Sequence, residues 1–209
     1  KNLSKKKKKD IALLYEGFKS CEFMTIKEIE RYFAPFYENW KKDIFYELIT
    51  LMKLDFNQKI STLSFGQKSQ VVLGLIFAQD AKLLILDDYS MGLDAGYRRL
   101  FIEYLKNYIE GTNKTVLITS HVMSDLVDLI DDMMIIQKGG NIYANSMQNF
   151  ITNFRCYKLP LNQQINLENI HRIEDYKFYK KIYTFDKLDF LEELNVDFED
   201  KFLGYVGKY

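Results

Sequence analysis

Asp87 and Asp88 close an apolar run, Leu83-Leu84-Ile85-Leu86. A carboxylate pair at the end of a strand carries two kinds of chemistry. One carboxylate can hold a divalent cation, and its neighbour, pointing the other way, can polarise a water molecule. His121 ends a second apolar run that starts at Thr115, where an imidazole can reach an anionic group or orient water. Upstream, Leu63-Ser64-Phe65-Gly66-Gln67 places a hydroxyl and a small residue at a helix start, where unpaired N–H groups and the helix dipole favour a phosphate. Taken singly, each has an ordinary reading: a turn or cap for the aspartates, a cap for Ser-x-Gly, a packing residue for the histidine. Their order is what argues otherwise. Phosphate chemistry on a parallel sheet needs an anion-binding helix start, carboxylates and a further polar group at the C-terminal strand edge, where such sheets bind ligands.

The elements that must position these groups are legible in the apolar spacing. Ile11 to Tyr15 reads as a strand. Thr25 with Glu28 three residues on forms a capping box before a helix with Ile26, Ile29, Phe33 and Phe36 on one face, which Pro35 kinks or ends. A second helix is predicted from about Lys41 to Lys53, and a third from Ser64 with Val71, Val72, Leu75 and Ile76 in its body. Residues 83 to 86 read as a parallel strand buried on both faces. A helix from about Ala95 to Glu110, a strand at Thr115 to Thr119, a short helix over Asp125 to Leu129 and a strand at Met133 to Gln137 follow. Gly139-Gly140 then turns the chain into a hairpin return through Ile142 and Tyr143. Strands alternating with helices predict an α/β sheet with right-handed crossovers. Beyond about Asn153 the alternation gives way to short polar and aromatic stretches, read as a small α+β appendage over 154–209. No internal repeat is present.

Composition narrows the function classes. Hydrophobic residues make up 47% and charged residues 28%, as in an ordinary globular chain. Lys+Arg 29 balances Asp+Glu 29, so charge gives no indication of a nucleic-acid binder. The lysine run Lys5 to Lys9 reads as a solvated loop. Cys21 and Cys156 match no metal spacing and read as reduced thiols. No apolar run approaches the roughly 20 residues of a membrane span, and no secretory signal opens the chain. His171 has no motif around it and reads as a surface or packing residue.

The ordered segments resemble the signature, Walker B and switch-histidine motifs of ATP-binding cassette (ABC) ATPases. Leu63 to Gln67 resembles the signature, usually Leu-Ser-Gly-Gly-Gln, with Phe65 in place of the first glycine and Gly66 retaining the second. Ser90-Met91-Gly92-Leu93-Asp94, directly after Walker B, resembles the D-loop, with Tyr89 and Met91 departing from the usual residues. The resemblance implies a P-loop NTPase-like α/β core over 1–153 with a helical subdomain at about 18–80. It implies that Asp87 holds Mg²⁺, that Asp88 polarises the attacking water, and that His121 reaches the γ-phosphate. Ser64, Phe65, Gly66, Gln67 and Asp94 would face nucleotide across a dimer interface. Glu16 stands where a glutamine usually ligates Mg²⁺ and senses the γ-phosphate; a solvated turn residue is the other reading. Asp88 replaces the usual glutamate and is shorter by about 1.5 Å, which implies slower hydrolysis or an altered water line-up.

The phosphate-cradling Gly-x-x-x-x-Gly-Lys-Ser/Thr loop has no match here; the only Gly-Lys pair is Gly207-Lys208. In the family this Walker A loop precedes the aligned segments and would lie before Lys1. The chain therefore reads as the C-terminal two-thirds of a subunit, inactive alone. Val196 to Gly204 resembles the closing segment of many exporter-type subunits. The implied function is an ATP-binding and hydrolysing subunit, with ATP and Mg²⁺ as cofactors, that powers export. Its partners would be a second ATPase subunit and transmembrane permease subunits, with no nucleic acid, and its place the cytoplasmic inner face of the cell membrane. A hydrolysis-impaired regulatory or interaction module and a soluble ABC-type ATPase are the alternatives.

Overall fold

The computed structural model describes residues 5–15, 21–90, 93–120, 122, 124–137, 142–163, 165 and 169–207. The chain packs as two compact units, 1–122 and 123–209.

In the first unit the lysine run, expected as a loop, forms a short helix, α1 (Lys5–Lys9), with Lys7 to Lys9 exposed. β1 (Ile11–Leu14) follows, then α2 (Ile26–Phe33). Thr25 and Glu28 form the predicted capping box: Thr25 Oγ1 accepts the Glu28 N–H at 3.2 Å, and Glu28 Oε2 accepts the Thr25 N–H at 2.8 Å. Pro35 sits in the tight turn Ala34–Phe36 that ends the helix, since proline cannot continue its hydrogen-bond ladder. α3 (Lys42–Leu51) and α4 (Phe65–Ala78) complete the helical region. α4 is buried on nearly every side from Gln70 to Ala78, so its sequence lacks a polar stripe. Ile26, Ile29, Phe45, Ile49, Val71 and Leu75 meet in its core.

β2 (Leu83–Asp87), α5 (Ala95–Ile109) and β3 (Thr115–Thr119) follow the predicted alternation. The strands run parallel in the order β1-β2-β3, with Ala12 opposite Leu84, Leu84 opposite Val116, and Asp87 opposite Thr119. Phe77 of α4 packs against the rings of Phe101, Tyr104 and Tyr108, which seats α5 on α4. Burial of β2 differs from the expectation. Leu84 and Leu86 are fully buried, but Leu83 and Ile85 are only half-buried, and on the same face Leu13 and Leu117 are exposed. With right-handed crossovers, the rule for such units, the order β1, β2, β3 would step the sheet in one direction and lay the connecting helices on a single face.

In the second unit, residues 124–129 form hydrogen-bonded turns rather than the predicted short helix; Leu129 and Ile130 both bond back to Leu126 O. β4 (Asp132–Ile136) and β5 (Ile142–Ser146) pair antiparallel as the expected hairpin, whose Gly139-Gly140 turn lies outside the described residues. Then come α6 (Met147–Asn153), β6 (Arg155–Pro160), β7 (Ile170–Asp175), β8 (Tyr179–Thr184), β9 (Glu192–Glu193) and α7 (Phe198–Val206). The last four strands form an antiparallel sheet in the order β7-β8-β6-β9. Ile135, Phe150, Phe154, Tyr183, Phe198 and Tyr205 share one core. Packing therefore joins the hairpin and α6 to this sheet, ahead of the change in sequence pattern at about Asn153. His171 is a packing residue, as expected: its ring stacks on Tyr205 at 4.3 Å, and Nε2 donates to Tyr205 O at 2.8 Å.

Candidate functional site

The parallel register sets the end of β2 beside the end of β3, and three polar residues meet there. Thr119 Oγ1 donates to Asp87 Oδ1 at 2.5 Å. The same oxygen accepts the Asp88 N–H at 3.0 Å. Asp88 has φ 44°, the left-handed region that aspartate enters more readily than most residues but still at a cost. Its Oδ1 accepts the Ser90 hydroxyl at 3.1 Å. A strained backbone is thus held from both sides, by Thr119 on the amide and Ser90 on the carboxylate, as strained residues at functional sites commonly are. Asp87 is exposed and Asp88 half-buried.

A second cluster forms where α4 begins. Ser64 caps the helix: its Oγ accepts the Gln67 N–H at 3.2 Å, while Gln67 Oε1 accepts the Ser64 N–H at 2.9 Å. Ser64 keeps its O–H as a donor, and the N–H groups of Phe65 and Gly66 belong to the first turn, which has no intrahelical acceptor. Phe65 is 56% exposed, whereas Gly66 is buried. A side chain at Gly66 would crowd Tyr97, since a Cβ there would lie 3.0 Å from its Cδ2. Asp94 caps α5, its Oδ1 accepting the Tyr97 N–H at 2.9 Å. Between the two clusters, Leu93 donates its N–H to Ser90 O at 3.1 Å.

The structure thus brings Asp87 and Asp88 together with Thr119, and Ser64, Gly66 and Gln67 together with the α5 start that Asp94 caps. Glu16, His121, Met91 and Gly92 lie outside the described residues. Sequence reasoning gave Thr119 and Tyr97 no role. Thr119 was findable in principle, because a hydroxyl at the end of the strand neighbouring β2 falls opposite Asp87 in a parallel register. Tyr97 carried no such signal, since its contact with Gly66 depends on how two helices cross.

A magnesium ion fits the donor set under one condition. Among the described residues no group of three or more His, Cys, Asp or Glu side chains is placed to hold a metal. An exposed single carboxylate such as Asp87 suits Mg²⁺ only where phosphate oxygens and waters complete the octahedron, the usual way this ion is bound with nucleotides. The carboxylate edge can thus take a cation that arrives with phosphate, and the Ser-capped helix start can separately take an anion.

No protein-family model matches the chain. It is 26% identical over 154 residues to the energy-coupling factor transporter ATP-binding protein EcfA2 of Staphylococcus epidermidis, covering 69% of this chain and 53% of that protein. It is 25% identical over 158 residues to the ABC transporter ATP-binding protein NatA of Bacillus subtilis, covering 73% and 64%. The chain spans about half the length of the first curated relatives it matches. A solved ATP-binding subunit of an ABC transporter superposes with a TM-score of 0.59 at 17% identity, over 69% of this chain and 62% of that one. The chain is a homologue of ABC transporter ATP-binding proteins, built on the α/β fold of ABC ATPase subunits.

Proposed function

We propose that the chain supplies the metal-binding, water-activating and trans-acting parts of an ATP-hydrolysing subunit that drives export through separate membrane permeases. The observation that carries this reading is the Thr119 hydroxyl bridging Asp87 and the Asp88 amide at the C-terminal edge of a parallel sheet. Asp87 would hold Mg²⁺ with the nucleotide phosphates, and the ion would neutralise charge that develops on the transferring phosphoryl group. Asp88 accepts a proton from the attacking water and orients it, and Ser90 fixes its carboxylate for that task. By the family resemblance, His121 would serve the γ-phosphate and Glu16 the same metal. Two copies, or this chain and a similar one, close head to tail on ATP. In that dimer Ser64, Phe65, Gly66 and Gln67 face the partner's nucleotide through N–H and O–H donors, and Asp94 shapes the interface.

Partner docking falls to the helical region. Tyr32 and Phe36 meet edge to face at 5.7 Å and are both exposed, as is Phe23. Trp40 and Tyr37 instead stack on each other, with Trp40 tied to buried Glu30. The first set suits contact with a permease; the second serves the core. Among the described residues no helix is long and apolar enough to cross a membrane, so the proposed place at the inner membrane face depends on that partner.

The test is Asp88→Asn in the intact protein. Turnover is expected to vanish while ATP binding and the closed dimer persist; unchanged hydrolysis would remove Asp88 from the base role. By calorimetry, the 209-residue chain alone is expected to bind ATP no more tightly than micromolar, because its sequence has no phosphate-cradling loop. A second reading, a hydrolysis-impaired regulatory module, draws support from the short Asp88 side chain, and wild-type protein that binds but never turns over ATP would favour it.

A further inference from the structure

We propose that Tyr97 is a positioning residue that sets the Ser64–Gln67 helix start against the carboxylate edge of the sheet. This rests on the reading that Ser64 and Gly66 meet nucleotide. Three separate contacts converge on Tyr97. Its N–H donates to Asp94 Oδ1 at 2.9 Å. Its carbonyl accepts the Gln70 Nε2 donor at 3.1 Å. Its ring lies on Gly66, so closely that a Cβ there would stand 3.0 Å from Cδ2 and 3.3 Å from Cε2.

Gln70 strengthens the argument. It lies one turn beyond Gly66 on α4 and is fully buried, and its Oε1 has no hydrogen-bond partner among the described residues. Burying an amide is costly unless it is bonded. The bond to Tyr97 is what α4 gains from placing one there, and that bond reaches another helix rather than its own. The start of α4 is therefore clamped to the first turn of α5, by a ring on Gly66 in its first turn and by the Gln70 amide in its second. From Tyr97 the path to the carboxylates is short: Asp94 caps α5, Leu93 bonds Ser90 O, and Ser90 bonds Asp88 Oδ1. A helix start meant to meet a second subunit's nucleotide needs such a fixed seat, because a misplacement of about 1 Å at a reacting site can cost on the order of 100-fold.

The test compares Tyr97→Ala with Tyr97→Phe in the intact protein. ATP-driven dimerisation, followed by sedimentation, is expected to weaken roughly tenfold in the alanine variant and to recover in the phenylalanine variant, which keeps the ring and both backbone contacts. The Mg²⁺ concentration for half-maximal turnover should stay at the wild-type value, because Asp87 and Thr119 are untouched. Dimerisation equal to wild type in Tyr97→Ala, or equal damage in Tyr97→Phe, overturns the assignment. Amide exchange separates the two ideas. Wild type that never dimerises with ATP defeats the nucleotide reading. The seat then stands if the Gln67 amide exchanges roughly tenfold faster in Tyr97→Ala but not in Tyr97→Phe, and falls if both match wild type. Should Tyr97→Ala fail to fold, Gly66→Ala presses the joint from the other side. It should loosen the Tyr97 amide, and an unchanged amide there counts against the proposal.

Discussion

The hydroxyl of Thr119 and the carboxylate of Asp87 are 2.5 Å apart across two parallel strands, and the same hydroxyl oxygen takes the amide of Asp88 at 3.0 Å. One side chain from β3 therefore fixes both Asp87, which ends β2, and Asp88 just after it, the first by its charge and the second by its backbone. That arrangement suits a threonine or serine, whose short side chain donates and accepts through one oxygen.

Thr119→Val keeps the shape and removes both bonds. Asp88 then loses the acceptor that holds its left-handed turn, and Asp87 loses a donor that orients it. Turnover in the intact protein should fall by roughly 10–100-fold, as when outer partners of a metal ligand are removed, and the Mg²⁺ needed for half-maximal rate should rise. Thr119→Ser should stay close to wild type. Magnesium titrations of ATPase rate check both, and a valine variant with an unchanged Mg²⁺ response would contradict the bridging role.

What the sequence revealed and what it hid divide along one physical line. The capping box at Thr25–Glu28, the helix start at Ser64, the end of α2 at Pro35 and the strand at Thr115 to Thr119 all follow from residues within a few positions of each other, and each is present. The pairing of Asp87 with Thr119, and the Tyr97 ring on Gly66, join residues distant in the chain; no local pattern encodes them. The half-cover of Leu83 and Ile85 was hidden for the same reason, since an apolar run reports that a strand is apolar and not which face a helix covers. In the second unit, short strands of mixed polar and aromatic residues gave no steady period. The sheet from β6 to β9 became visible only in its long-range pairing.

Glu30 offers a test of the helical region. It is 2% exposed, and both carboxylate oxygens are used: Oε1 accepts Trp40 Nε1 at 2.9 Å and Oε2 accepts the Tyr46 hydroxyl at 3.2 Å. Burial and the charge of Glu30 push the Tyr46 hydroxyl up to about 12, which keeps it a donor. Glu30→Ala strands two half-buried donors and should cost about 2–4 kcal/mol. Urea unfolding followed through Trp40, the single tryptophan, measures this directly. A loss below about 0.5 kcal/mol, the range of ordinary surface changes, would mean the network is ornamental to stability.

The cap at Thr25 makes a pH prediction. Glu28 is held below the usual carboxylate range by hydrogen bonds from the Thr25 backbone and side chain, aided by the charges of Lys59 and Arg31 and opposed by slight desolvation. A depressed folded-state value means that its contribution is complete above the ordinary carboxylate value and fades as pH falls through the lowered one. Glu28→Gln retains a reciprocal cap without the titration. The difference in stability between wild type and this variant should therefore shrink on acidification, read by denaturation at neutral and acid pH. A difference constant across that range would refute the linkage.

The two cysteines should separate sharply in a labelling experiment, and the slower one reports on the second unit. Cys21 is half-buried, whereas Cys156 is 1% exposed and sits on β6 opposite Tyr183 in the aromatic core. Burial pushes the Cys156 thiol up to about 11, the nearby Lys181 cation only partly opposing it. Thiolate is the reactive form, so Cys156 is short of both access and charge at neutral pH. A maleimide should modify Cys21 readily and Cys156 only when the core opens. Gly204 lies against the face of Tyr183, where a Cβ would overlap the ring. Gly204→Ala must displace that ring or α7, an overpacking that costs about 1–3 kcal/mol. If labelling of Cys156 waits on opening of this core, the alanine variant should label Cys156 roughly 5–150-fold faster and leave Cys21 unchanged, since 1.4 kcal/mol in the opening equilibrium is a factor of ten. Equal rates in the two proteins would mean that Cys156 becomes accessible by a route that does not pass through the Tyr183–Gly204 contact.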